Sequence, residues 1–93
     1  MTLHTFLIVQ SDILHKSGHL STIICPISSQ KRGISRLRIN VKESKFNGLT
    51  KPSLIVIDQI KAVDFSRLKE KIGILELEYH QEVKDALAII LDL

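Results

Sequence analysis

Side chains able to do chemistry gather at a few points along this 93-residue chain. The run Ser28-Ser29-Gln30-Lys31-Arg32 places two hydroxyls, an amide and two cations in consecutive positions. Two cations beside a polar turn suit contacts to a phosphate backbone, which position a polyanion without reading its sequence. Ser29, Gln30 and Asn40 carry groups that can hydrogen-bond the edges of splayed bases. His4 can serve as an acid–base group, since an ordinary imidazole with a pKa of roughly 6.5 populates both forms near neutrality. It suits a fixed-cation role less well, being mostly neutral at pH 7 and lacking the bidentate fork of arginine. Asp58 and Gln59 form an acid–amide step that can tie strands together or contact a ligand.

Each of these residues has a plainer reading. A turn serine often bonds its own backbone, and an N-terminal histidine is often frayed surface. His15 and His19 read as solvated loop residues, and His80 as an exposed helix residue. Cys25 is the only cysteine and stands in the apolar run Thr22–Ile27, so it reads as a buried, inert thiol with no partner for an internal disulfide. A reducing compartment, and hence the cytoplasm, fits that usage. No Cys/His pairing has zinc spacing and the carboxylates form no cluster suited to a hard cation, so no metal or other cofactor is expected.

These residues must be held by some framework. At 93 residues the chain is expected to form a single domain, 1–93. With 44% hydrophobic and 25% charged residues, its composition is that of a globular domain. No apolar run exceeds six residues (Ala86–Leu91), so no membrane span is expected. Charge is unevenly placed. Residues 1–63 hold nine Lys/Arg and three acids, whereas residues 64–93 hold four and seven. That asymmetry suggests a polyanion-facing surface and a separate acidic face. Only four aromatic residues are present (Phe6, Phe46, Phe65 and Tyr79), too few for a broad base-stacking platform.

Strands are predicted at Phe6–Gln10, Thr22–Ile27, Arg36–Val41, Ser53–Ile57 and Lys61–Asp64. Pro26 is expected at a strand end or a bulge, because it cannot donate to a ladder. Arg36–Val41 alternates, with Leu37, Ile39 and Val41 on one face and Arg36, Arg38 and Asn40 on a wet face. Ser66–Lys69 reads as one helical turn with Asp64 as its candidate N-cap. Residues 78–91 carry the one strong helical pattern, with Tyr79, Val83, Ala86, Leu87, Ile90 and Leu91 at spacings of three and four. The expected fold is mostly β (α+β): a small curled antiparallel sheet with a helix laid on it.

Four segments in order reach a known family: Phe6-Leu-Ile-Val-Gln-Ser-Asp12, Thr22-Ile-Ile-Cys-Pro-Ile-Ser-Ser-Gln30, Gly48-Leu-Thr-Lys-Pro-Ser53 and Ile57-Asp-Gln-Ile60. With Lys71-Ile-Gly-Ile-Leu75 and the closing helix, nearly the whole chain resembles the MazF/PemK family. These are toxins of toxin–antitoxin pairs that cut single-stranded RNA. The resemblance implies an SH3-like barrel, a homodimer, a cognate antitoxin peptide lying across the RNA groove, and RNA cleavage without a metal or other cofactor. It puts Ser28 at the family's catalytic Ser/Thr and matches Asp58 and Gln59 to the family's Asp-Gln step, which either ties strands together or contacts RNA; Ser29, Gln30, Lys31, Arg32 and Asn40 stand as RNA-contact candidates on their own chemistry. His4 and Thr5 stand where the family has Arg-Pro. The family's usual first strand and roofing loop have no counterpart before Phe6. Two expectations follow: the bared sheet edge pairs with another chain or is covered by the N-terminal residues, and the alternative to an active nuclease is an impaired member that keeps its dimer and antitoxin surfaces. A basic nucleic-acid binder without catalysis is a third reading.

Overall fold

The structure, a computed structural model, describes residues 1–11, 16–29 and 36–93. Within it, seven short strands pair antiparallel into one curled sheet: β1 (Thr2–Leu3), β2 (Phe6–Ile8), β3 (Ser21–Ser28), β4 (Arg38–Val41), β5 (Ser53–Val56), β6 (Lys61–Asp64) and β7 (Gly73–Ile74). The strand order is β4-β5-β3-β2-β1-β7, and β6 also pairs with β3. One helix, α1 (His80–Leu91), closes the chain. The architecture is the expected curled sheet with a C-terminal helix.

The long strand β3 makes the curl. Its first part pairs with β2 (Leu7↔Cys25, Ile8↔Ile24) and with β6 (Thr22↔Val63, Ile23↔Ala62). Its last two residues pair with β5 (Ile27↔Ile55, Ser28↔Leu54). Pro26 is inside the strand, opposite Phe6 of β2, so the strand-end alternative is corrected. It sits where β3 passes from one set of partners to the next, and its missing N–H falls at a place where the ladder changes hands.

Side chains on one side of the sheet form the core. Leu3, Leu7, Cys25, Ile39, Val41, Ile55, Ile57, Leu75, Val83 and Ala86 are buried together. The helix contributes Val83 and Ala86, with Tyr79, Leu87 and Ile90 packed beside them, as the spacing predicted. Leu91 departs from that stripe and is exposed. The α-helix begins two residues later than residue 78, because Leu77–Tyr79 forms a 3-10 turn first. Asp92 ends it in the left-handed conformation at φ 56°, and the Leu93 N–H returns to the Ala88 carbonyl.

Several local expectations are refined. Residues 36 and 37 precede β4 instead of opening it, and the Leu37 carbonyl accepts the Ile57 N–H at 2.9 Å. Phe65–Arg67 forms the anticipated helical turn, as a 3-10 turn. Asp64 precedes it, but its side chain makes no capping bond. The His80 ring is half-buried, and its Nε2 lies 3.0 Å from the Leu75 carbonyl, so it is not the exposed helix residue expected.

The edge of β2 is covered from within the chain. Leu3 pairs with Leu7, and β1 continues to β7 through Thr2↔Ile74 and Leu3↔Gly73. A two-residue strand thus stands beside β2, the second of the two outcomes anticipated for that edge.

A buried asparagine locks the loop between β4 and β5 to the segment before the helix. Asn47 is fully buried. Its Nδ2 donates to the Lys42 carbonyl at 2.9 Å and to Glu76 Oε1 at 3.0 Å. Its Oδ1 accepts the N–H groups of Ser44 and Leu49 at 3.1 and 2.9 Å. The neighbouring Gly48 has φ +76°, and a Cβ there would run into the Ile72 backbone.

Candidate active site

The register of three strands fixes the main grouping. Leu54 of β5 stands opposite Ser28 on one side and Asn40 on the other. Directly opposed residues of an antiparallel pair point to the same face, so Ser28 and Asn40 share a face with Leu54 between them. At about 4.5–5.5 Å per strand, their Cα atoms lie about 10 Å apart. Arg38, opposite Val56, is on the same face two residues along β4. This is the side away from the core residues Ile39, Val41 and Ile55.

Ser28 is half-buried at the last position of β3, and Ser29 beyond it is exposed. Asn40 is exposed and lines a cavity of about 450 Å³ with Lys42, Glu43, Pro52 and Tyr79. Asp58 and Gln59, both exposed, lie in the 3-10 turn Ile57–Gln59 that follows β5. Arg38 Nε is 3.9 Å from Asp58 Oδ1, with both side chains about one-third exposed (31% and 37%). In that setting the pair contributes little stability. Gln30, Lys31 and Arg32 lie outside the described residues, as does His15; His19 is exposed.

His4 occupies the turn between β1 and β2. The register Phe6↔Pro26 puts that turn at the Ser28 end of β3. Its ring is directed elsewhere, however. Nδ1 lies 2.6 Å from the Lys69 carbonyl, so Nδ1 carries the proton and donates, leaving Nε2 as the basic nitrogen. His4 lines a second cavity of about 330 Å³ with Ile8, Gln10, Thr22, Phe65 and Lys71, among others. Ser28 is not part of that lining. The two residues proposed for acid–base and hydroxyl roles therefore share an end of the sheet but stand in different surroundings.

A family model described as a PemK-like, MazF-like toxin of type II toxin-antitoxin systems matches residues 2–91. This chain belongs to that toxin family. Solved structures carry the same fold. "Mycobacterium tuberculosis toxin MazF-mt6" superposes with a TM-score of 0.85 at 21% identity, covering 100% of this chain and 98% of that one. "Endoribonuclease in complex with its cognate antitoxin from Mycobacterial species" gives a TM-score of 0.78 at 19% identity, covering 95% of this chain and 80% of that one. A MazE-MazF complex from Deinococcus radiodurans gives 0.75 at 16% identity, covering 95% and 81%.

The toxin's geometry adds residues that the sequence did not single out. Arg38 was legible as a wet-face residue of an alternating strand, but its pairing with Asp58 and its place on the same sheet face as Ser28 depend on the register of β4 against β5. Gln10, Phe65 and Lys71 come from three separate segments and meet only at the His4 cavity. No periodic signal joins them. Lys61 also stands over the Phe6 ring, 5.8 Å from its centroid, across β3.

Proposed function

We propose that this toxin is an endoribonuclease that cleaves single-stranded RNA without a metal, and that a cognate antitoxin peptide neutralises it. The observation carrying this reading is the family match over residues 2–91, nearly the full chain. In the reaction, the ribose 2′-oxygen loses its proton and attacks the adjacent phosphorus. The bond to the 5′-oxygen breaks, that oxygen takes up a proton, and a 2′,3′-cyclic phosphate remains.

Three features of the site support this chemistry. The Ser28 hydroxyl, at the rim of β3, hydrogen-bonds the reacting phosphate. Arg38 supplies the fixed cation on the phosphorane oxygens, a role for which His4 is poorly suited. His4, with its proton placed on Nδ1 by Lys69, presents Nε2 for proton transfer once the RNA is seated. Ser29, Gln30, Asn40 and Gln59 contact bases, and Lys31 and Arg32 contact phosphates. Asp58 acts through Arg38.

The toxin acts as a homodimer in the cytoplasm. Apolar side chains left exposed along the β7 edge (Ile72, Ile74 and the neighbouring Phe46) and at the end of α1 (Ile89, Leu91, Leu93) support a protein contact there. Among the described residues no helix is long and apolar enough to cross a membrane.

Incubating the purified chain with single-stranded RNA in EDTA tests the reading. Cleavage that Ser28→Ala and Arg38→Ala each abolish or cripple is the expected result. A chain that binds antitoxin yet leaves RNA intact would instead make it an impaired family member.

A further inference from the structure

We propose that the cavity beside His4 is a nucleobase subsite that accepts one unpaired base of the RNA strand, an inference that rests on the ribonuclease reading above. The cavity, about 330 Å³, has two kinds of wall. Ile8 and the Phe65 ring offer apolar faces. Gln10, Thr22, His4 and Lys71 offer hydrogen-bonding groups around them. A base is an object of that kind, with two flat π-faces and an edge of donors and acceptors. One aromatic ring stacks one base, which reconciles the pocket with a chain too poor in aromatics for an extended platform.

The walls are already set in place. The Phe65 N–H donates to the Leu20 carbonyl at 2.9 Å, and the Leu68 N–H returns to the Phe65 carbonyl at 3.0 Å, so the ring sits on a bonded 3-10 turn. Gln10 follows β2, and its Nε2 reaches the Ser21 carbonyl only at 3.4 Å, a long bond that a base edge can replace. A primary amide offers both donors and an acceptor, the pattern that pairs with an adenine edge or with the amide-like edges of the other bases. Thr22 is buried on the cavity floor.

The rim is suited to an anionic strand. Lys69 and Lys71 are exposed on the segment that passes His4, and Arg67 precedes them, against Asp64 and Glu70. Lys71, exposed, and His4 both line the cavity, so a cation and an imidazole are available to the backbone of a bound nucleotide. The subsite therefore adjoins the acid–base histidine, and the base it holds would determine which phosphate is presented for cleavage.

The test uses the full chain, isotope-labelled for NMR, and short RNA strands made resistant to cleavage by 2′-deoxy substitution. The expected result is perturbation of the Gln10, Thr22 and Phe65 amides that disappears when one nucleotide of the strand is made abasic. Phe65→Ala then weakens binding of the base-bearing strand by about 5- to 150-fold, and Phe65→Tyr keeps it, while the abasic strand is indifferent to both. Gln10→Ala, checked by circular dichroism for folding, serves as a second variant and should flatten the cleavage preference among RNA sequences. Binding and cleavage with those amides unmoved, or moved equally by the abasic strand, would overturn the subsite and leave the nuclease reading standing. Free nucleoside monophosphates bound as tightly as the strand would reassign the cavity to a small metabolite and overturn the RNA subsite. A strand neither bound nor cut would overturn both.

Discussion

Replacing Asn47 by alanine should cost this toxin a large part of its stability and loosen the strand that carries Arg38 and Asn40. The wild-type side chain makes four hydrogen bonds while fully buried: to the Lys42 carbonyl, to Glu76, and from the N–H groups of Ser44 and Leu49. A typical bond contributes about 1 kcal/mol net, and a buried partner left unsatisfied costs about 1–3 kcal/mol. Ser44 and Glu76 bond each other through Ser44 Oγ at 3.1 Å, so part of the network survives the loss. The expected destabilisation is therefore about 3–5 kcal/mol, against a total of about 5–15 kcal/mol for a domain of ordinary stability. For a chain of this length, that lowers Tm by roughly 12–40 °C. Urea unfolding followed by far-UV circular dichroism measures it, with an unchanged m-value confirming that only stability moved. Glu76→Gln keeps an acceptor for Asn47 and should cost only about 1 kcal/mol. A loss below about 1 kcal/mol in Asn47→Ala would refute the claim that this side chain clamps the loop.

Further outcomes follow from other parts of the molecule. Gly48→Ala should destabilise by more than about 2 kcal/mol, since it combines a left-handed φ with a collision against the Ile72 backbone, whereas Gly18→Ala, at φ +88° with open space around it, should cost only about 1–2 kcal/mol; thermal melts of the two compare them. Burial pushes the Cys25 thiol from 9.0 up to about 11. The unfolded thiol ionises first, so stability is full below about pH 9 and falls as pH rises towards about 11, by a few kcal/mol at most (about 1.4 per pKa unit), and Cys25→Ala should lack that component of the slope in chemical denaturation. A thiol reagent should accordingly label Cys25 only in urea. Arg38→Ala should reduce RNA cleavage by about 100- to 1,000-fold with Arg38→Lys recovering part, as expected for loss of a group that stabilises transition-state charge, and initial-rate assays on a short RNA would show it.

What could be read from residues alone was what has a period. The stripe Val83, Ala86, Leu87, Ile90 announced itself because one face of the helix is buried, and the short apolar runs of β2, β3 and β5 because their strands are largely enclosed, β5 at all four positions. Alternation in Arg38–Val41 likewise separated Ile39 and Val41 from Arg38 and Asn40. The strands β1 and β7 were not legible: two residues hold no period, and they exist only because each supplies an edge to the other. Pro26 was misplaced because a proline inside a strand is tolerated only where pairing partners change, and that depends on the curl. His80 and Asn47 were missed as buried partners for a related reason. Their bonds reach Leu75 and Glu76, and nothing local to either residue signals a carbonyl or carboxylate waiting there. The site followed the same division. Ser28 and the Asp58–Gln59 step became candidates through motifs in order along the chain, and Asn40 through its place on the polar face of an alternating strand. Arg38 joined the candidates only when register set it on the same face as Ser28, and the His4 ring proved to be turned towards Lys69.

The most direct test of the central claim is the fate of an RNA carrying a single 2′-deoxy substitution at the nucleotide before the cut. In the proposed reaction the 2′-hydroxyl is the nucleophile. Cutting at that site should stop while neighbouring sites are unaffected, and the all-ribose strand should yield 2′,3′-cyclic phosphate ends in EDTA. Cleavage that continues at the deoxy position, or ends bearing a 3′-hydroxyl and a 5′-phosphate, would contradict it.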